Sequence, residues 1–352
     1  MKQQGRFAWL VISLWVLSLA SALAGTNAGE AVKDSVAERM LLYQRDNGGW
    51  PQPGGNAINY KLPIAAALKT RLVAEKGKLD TTIDDQATTN EIKYLVKAYQ
   101  ETGNEAYREA AERGIRYLLA AQNAAGGWPQ SYPDSSSYHK HITYNDHAMT
   151  DVLWVLTYLA EGSNGFSVVD KTLLPRAQRA IQRGVDCILK TQVRQNGKLT
   201  AWCAQHDSHT LKPANARKFE LASLSGNESV SILNYLMHLP NPSPEIKRAI
   251  EAGAAWLESV KLTGIAIKTV EDANQPKGKD RVVVASSGAV TWARFYELDT
   301  DKPIFCGRDG IKRYALAEIE NERRVGYAWY GNWPAQFLMN DYPAWVVKWK
   351  DK

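Results

Sequence analysis

Three cysteines in 352 residues, Cys187, Cys203 and Cys306, allow at most one intramolecular disulfide, so the chain is not a cystine-stapled scaffold. Nor do the three have the spacing of a metal-binding motif. No glycine-rich loop joins a strand pattern to a helix pattern, which argues against a phosphate-cradling site. Low-complexity tracts are missing. Beyond residues 7–20, no stretch approaches the ~20 apolar residues that span a bilayer. Phenylalanine is scarce: 6 Phe stand against 12 Trp and 16 Tyr, a bias toward rings with a polar handle that suits wet binding surfaces. The charge excess is small, 43 Lys and Arg against 37 Asp and Glu. It is compatible with an anionic partner but too slight at this length to imply nucleic acid. With 45% apolar and 23% charged residues, wholesale disorder is excluded.

The N-terminus carries an address. Lys2 and Arg6 precede the apolar run 7–20, and Ala22-Leu23-Ala24 supplies a small-x-small cleavage site. Residues 1–24 therefore read as a secretory signal peptide, leaving 25–352 as one domain that works outside the cytoplasm, secreted or periplasmic. An uncleaved membrane anchor is the competing reading of the same run.

The body reads as paired helices after a short helix at about 31–44. Ile92, Leu95, Val96 and Tyr99 form one apolar stripe, and Thr88 with Glu91 reads as a capping box before it. A second stripe follows Gly103-Asn104, closing a hairpin over 88–121. Another pair is expected at about 146–160 and 173–191; the first of these is apolar nearly all round and should be buried. A third pair covers 226–239 and 244–260, with Ser225 and Glu228 as a second capping box. Short β-prone runs at 264–270 and 281–285 flank a polar loop, 271–280.

A repeat underlies this pattern. Gln44 through Gln52 (QRDNGGWPQ) returns as Gln122 through Gln130 (QNAAGGWPQ), and a degenerate copy runs from Thr191-Gln192 to Trp202. A helical hairpin cannot bury its apolar face alone, so stacked copies are expected to close into an incomplete α/α toroid of about three hairpins. The fold class is thus mainly all-α with a few short strands. The first helices of successive hairpins would run parallel, gathering Asp84, Asp85, Asn145, Asp146 and the Lys212–Arg217 loop at one rim. Helix N-termini there favour an anionic ligand.

Four segments are dense in polar residues: TTIDDQATTNEI (81–92), ITYNDHAMT (142–150), AWCAQHDSHTLKPANARKFELASLSGNES (201–229) and WARFYELDTDKPIFCGRDGIK (292–312). At these residues the chain resembles the family-10 polysaccharide lyases, the pectate lyases of the α/α-toroid type. The likeness runs from QRDNGGWPQ through RRVGYAWYGNWP (323–334). One departure is Asp85, where the family pattern reads Asn. The resemblance implies β-elimination on polygalacturonate: a base takes the C5 proton and the O4 glycosidic oxygen leaves. That proton is α to a carboxylate, so cations must balance the charge that develops. Ca²⁺ suits the task through flexible oxygen coordination, and arginine through a planar fork that matches a carboxylate.

The resemblance implies Asp84 and Asp146 as Ca²⁺ ligands, with Asp85 a further candidate, and Arg217 as the Brønsted base. Asp85, Asn145, Lys212, Arg294 and Arg308 are the candidate substrate-binding residues. On position alone, Asp84 and Asp146 fit turns or N-caps equally well. Arg217 likewise fits a basic surface loop, and Arg308 an ion pair with Asp309. A guanidinium resists deprotonation; a surrounding cluster of Ca²⁺, Arg294 and Arg308 is expected to ease it. Trp50, Trp128, Trp202, Trp329 and Trp333 offer sugar-stacking faces, although each fits core packing better. His206-Asp207 and His209 lack the nucleophile elbow or HExxH context of a triad or zinc site. A monomer is expected. Two other readings stay open: a glycoside hydrolase using two carboxylates on a similar toroid, and a non-catalytic binder of acidic polysaccharide.

Overall fold

The computed structural model describes residues 32–134 and 136–349; the expected leader, residues 1–24, lies outside them. Helix α1 (Ser35–Tyr43) starts where the Asp34 carboxylate accepts hydrogen bonds from the Val36 and Ala37 amides, at 2.7 and 2.9 Å. It is followed by α2 (Ala66–Ala74), which has little apolar periodicity and was not anticipated. Then come the three expected hairpins. α3 (Thr89–Thr102) packs on α4 (Glu105–Ala121), α5 (Ala148–Glu161) on α6 (Leu174–Thr191), and α7 (Glu228–His238) on α8 (Pro244–Ser259). The hairpins stand side by side in two rows. α3, α5 and α7 touch in one row, α4, α6 and α8 in the other. Because α5 also meets α4, it is covered on several sides, which explains its nearly uniform apolar surface.

The repeat explains how the rows are fastened. Gln44, Gln122 and Gln192 each donate twice through Nε2. One bond closes the residue's own turn, to the carbonyls of Gly48, Gly126 and Thr200. The other reaches the second helix of the next hairpin, at Ala110, Ala180 and Ala249. All six bonds measure 2.8–2.9 Å. The turn glycines are obligatory here. Gly48 and Gly126 have φ of 94° and 93°, and a Cβ on them would lie 2.3 and 2.2 Å from the Arg113 and Arg183 carbonyl oxygens. The Trp that ends each unit then turns inward. The Nε1 groups of Trp50, Trp128 and Trp202 donate to the carbonyls of Met40, Leu118 and Ile188 at 2.7–2.8 Å. Together with Trp329 they are buried to 1% exposure or less. These four indoles are core, not sugar platforms; Trp333, half-buried, packs against the core that holds Trp50, Trp128 and Trp202.

Backbone bonds stitch each Trp turn to the segment heading the next hairpin. The amides of Thr82, Thr143 and Ser225 donate to the carbonyls of Trp50, Trp128 and Trp202, at 2.8–3.0 Å. One residue on, Ile83, Tyr144 and Gly226 donate to Gln130, Ala204 and Arg294. The heads of the three hairpins are thereby drawn to one rim, as expected.

Two local expectations need correction. Thr88 does not cap α3: its hydroxyl donates to the Thr82 carbonyl and accepts the Trp50 amide. The β-prone runs are longer than expected, forming an antiparallel hairpin of Leu262–Glu271 with Lys279–Ala293. The chain closes with α9 (Asn321–Gly326), α10 (Trp333–Gln336) and α11 (Tyr342–Trp349), none of them anticipated. A second apolar cluster, including Phe219, Phe295, Phe305 and Trp329, underlies this end. All three cysteines are buried and unpaired. Among the described residues, no helix is long and apolar enough to cross a membrane.

Candidate active site

The first two hairpin heads are built alike. Each is a single tight turn, Asp84–Gln86 and Asn145–His147, and each places an aspartate in the left-handed region: Asp85 at φ 43° and Asp146 at φ 47°. Residues with a Cβ seldom adopt that conformation, and it persists only where neighbours enforce it. The enforcing contacts are visible. Thr82 donates its hydroxyl to the Gln130 carbonyl and accepts the Asp84 amide, while the Tyr144 and Asn145 amides both donate to the Ala204 carbonyl.

The result is a set of three carboxylates, Asp84, Asp85 and Asp146, each with an oxygen within 4.8 Å of the others. They line a cavity of about 340 Å³ together with Gln52, Gln130, Tyr138, Asn145, Arg217 and Glu220. Burial, then the like charges of Asp85 and Asp146, push the Asp84 carboxyl up to about 6. Such crowding is unfavourable without a cation. All the donors are oxygen, the chemistry that a hard divalent ion such as Ca²⁺ selects. The residues present therefore fit the implied metal.

Arg294 approaches from beneath. Its side chain is only 8% exposed, and Nη2 meets Glu228 Oε1 at 2.5 Å, Asp146 Oδ1 at 3.0 Å and Asn145 Oδ1 at 3.3 Å. Burial works against its charge, but Glu228, Tyr327 and Asp146 outweigh it and push the guanidinium pKa up. Gly226 permits this approach, since a Cβ there would lie 2.4 Å from the Ala293 carbonyl oxygen. In this state Arg294 braces the second hairpin head rather than reaching into open space.

Arg217 sits on the cavity wall with its side chain 46% exposed. Its Nε and Nη2 pair with the two oxygens of Glu220 at 2.7 and 2.5 Å. Its guanidinium lies over the Phe219 ring at 4.9 Å and the Tyr327 ring at 6.0 Å. The Glu220 hydrogen bond pushes its pKa up. This corrects the expected electrostatics. The cations around Arg217 do not act unopposed, because Arg294 is paired with Glu228 and Asp146 and Arg308 with Glu322. Arg308 is exposed and lies beyond the Phe219 ring, 5.9 Å from its centroid. Its partner is Glu322 at 3.0 Å; Asp309, the partner of the competing ion-pair reading, pairs instead with Arg313. Lys212 is not among the residues lining this cavity; it borders a separate groove with Leu189, Thr191 and Leu199.

A family model described as pectic acid lyase matches residues 44–338. The chain belongs to the pectic acid lyase family. Its fold matches that of the family 10 polysaccharide lyase from Cellvibrio cellulosa, with TM-score 0.76 and 35% identity, over 89% of this chain and 91% of that one. An Asp-to-Ala variant of the same Cellvibrio lyase, in complex with trigalacturonic acid, matches with TM-score 0.77 at 35% identity, over 89% and 92% of the two chains. No curated protein matches the chain.

Within this pectic acid lyase fold, two buried acids at the site escaped the sequence reading. The sequence presents Glu228 only as the partner of Ser225 in a helix cap. Ser225 does accept the Glu228 amide at 3.1 Å, but the Glu228 carboxylate is turned onto Arg294. Glu220 carried no sequence signal beyond its position three residues after Arg217. The histidine motif is structural, as expected. His206 is fully buried, with Nε2 accepting the Cys203 amide and Nδ1 donating to the Leu211 carbonyl. Asp207 closes the neighbouring turn through the His209 and Thr210 amides.

Proposed function

We propose that this lyase cleaves polygalacturonate by Ca²⁺-dependent β-elimination, leaving a 4,5-unsaturated uronate at the new non-reducing end. The observation that carries the reading is the meeting of Asp84, Asp85 and Asp146 with Arg217 in one cavity. Asp84 and Asp146 would hold the Ca²⁺, with Asp85 beside them. When bound, the ion supplies positive charge against the substrate carboxylate as its α-carbon loses a proton. Arg217, as the neutral guanidine, takes the C5 proton; the C4–C5 double bond forms as the C4–O4 bond breaks, and the departing O4 keeps the bonding pair and takes a proton from water. The need for neutral Arg217 favours alkaline pH. Arg308, beyond Phe219, and Asn145 orient the uronate, and Arg294 holds Asn145 and Asp146 in place for it. Lys212 would serve a more distant sugar along the polymer. The three hairpins form an incomplete α/α toroid whose rim is the active face, and the protein acts as a monomer. The basic, apolar and small-residue pattern of residues 1–24 supports export before this activity is needed.

The raised Asp84 carboxyl beside a second carboxylate also suits a glycoside hydrolase acid–base pair. Against it stand Arg217 on the cavity wall and Arg294 bonded to Asp146, cations of which an acid–base pair of carboxyls has little need. One experiment separates the readings. Polygalacturonate incubated with protein, with and without a chelator, should gain near-ultraviolet absorbance only when metal is present. Reducing ends without absorbance would mean hydrolysis, retention without product would mean a binder, and undiminished turnover after exhaustive chelation would remove the metal role of Asp84 and Asp146.

A further inference from the structure

We infer that Glu220 is a positioning residue that selects Nη1 of Arg217 as the nitrogen facing the substrate; the inference rests on Arg217 being the base. Glu220 is 5% exposed, and both its oxygens are engaged. Oε2 accepts from the Arg217 Nε at 2.7 Å and from the Arg217 backbone amide at 3.2 Å. Oε1 accepts from the Arg217 Nη2 at 2.5 Å and from the Tyr327 hydroxyl at 2.8 Å. The backbone closes the same loop, with the Glu220 amide donating to the Arg217 carbonyl at 2.7 Å and the Ala216 amide to the Glu220 carbonyl at 3.0 Å.

The guanidinium is thus fixed on one edge by two parallel bonds and on one face by Phe219. Nη1 alone among its nitrogens has no hydrogen-bond partner among the described residues. A long side chain on a surface loop would otherwise sample many rotamers, and a reacting nitrogen held in one place gains rate through orientation. The arrangement has an opposing consequence. The carboxylate also favours the protonated guanidinium, so Glu220 trades readiness to lose a proton for placement. Because Glu220 spends both oxygens on Arg217 and Tyr327, its effect should pass through Arg217 and not through substrate affinity.

The test is a double-mutant cycle on polygalacturonate with Ca²⁺ at alkaline pH. Glu220→Gln keeps the side-chain shape but replaces the bidentate acceptor with one acceptor and one donor. It should lower kcat roughly 10-fold or more and leave KM within about 2-fold. In an Arg217→Lys background, where the fork is already gone, Glu220→Gln should change kcat by less than about 2-fold. Full kcat in Glu220→Gln, a loss confined to KM, or losses that multiply in the double variant would each overturn the inference. Should Glu220→Gln melt or misfold, Tyr327→Phe removes only the hydroxyl that holds Oε1. It should lower kcat about 2- to 5-fold at unchanged KM, and unchanged kcat would refute the positioning role. Failure of the parent reading looks different: Arg217→Lys would then itself keep near-native kcat.

Discussion

The Gln–Trp turns and the acid-bearing hairpin heads alternate around one rim and share backbone hydrogen bonds, yet they differ in how their polar groups are satisfied. In the turns, each glutamine amide nitrogen is used twice and each indole N–H once. In the heads, two aspartates sit in left-handed conformations and three carboxylates crowd together. The first region, although Gln192 Oε1 and Asn123 Nδ2 are buried there without a partner, holds no crowded charge and carries the fold. The second holds unfavourable charge and strained backbone, which the first makes tolerable. Uncompensated cost of this kind gathers where a ligand will complete the set. The comparison therefore predicts a division of labour: changes in the heads should remove activity with little loss of stability, and changes in the turns the reverse.

The sharpest way to break it is at Arg217. As the base it acts in the chemical step, so Arg217→Lys should lower kcat roughly 10²–10⁴-fold while binding of polygalacturonate stays near normal. The side chain is half-exposed, so the melting temperature should hardly move. Steady-state kinetics with a thermal melt on the same sample read both. Near-native kcat in Arg217→Lys, with Arg294→Lys or Arg308→Lys inactive, would show that the base is elsewhere.

The turns are tested by Gly126→Ala. The residue has φ of 93°, and the added methyl would press on the Arg183 carbonyl oxygen 2.2 Å away, a backbone atom that cannot swing aside. A loss of about 3 kcal/mol is expected by denaturant titration, with kcat of the folded fraction intact. Gly103→Ala provides the control. Gly103 also has positive φ, 68°, but nothing lies within 4 Å of the new methyl, so about 1 kcal/mol should be lost. Equal losses at the two sites would mean that the close approach to the next helix is not what the repeat preserves.

Legibility in the sequence followed the same division. The turns and the six hairpin helices were readable because their determinants are local: an apolar stripe such as Ile92, Leu95 and Val96, a left-handed Gly103, a recurring Gly-Gly-Trp. Helices α2, α10 and α11 escaped because they are short and have no clear stripe. Asp84, Asp85, Asn145, Asp146 and Arg217 were expected at one rim, and the backbone brings them to one cavity. What stayed hidden was pairing. Glu228 and Glu322 choose their arginines by tertiary approach, which spacing does not encode, and Arg308 accordingly bonds Glu322 rather than its neighbour Asp309. Thr88 failed as a cap for the same reason. Its hydroxyl was claimed by Thr82 and Trp50, partners distant in the pattern that suggested the cap.

The last expected effect is one of pH, and its sign differs between the two regions. His206, fully buried behind the Trp202 turn, is lowered to about 4 from 6.5, first by burial. Its contribution to stability is present above pH 6.5 and is lost as the pH falls through 4, because the unfolded chain binds the proton first. Asp84 is raised to about 6 from 3.8 by burial and its acidic neighbours. Its contribution is fully present below pH 3.8 and is lost as the pH rises through 6. Above that, the metal-free head carries an uncompensated charge. Asp84→Asn removes only the second effect. In the presence of a chelator, Asp84→Asn should therefore be more stable than the native protein at pH 8, by about 2 kcal/mol after allowance for partial exposure and screening. The gap should close near pH 4, and Ca²⁺ should raise the melting temperature of the native protein but hardly that of Asp84→Asn. Denaturant titrations at the two pH values decide it. If the gap is the same at both, or if Asp84→Asn is the less stable protein at pH 8, then the crowded carboxylates are not the strained element of this rim.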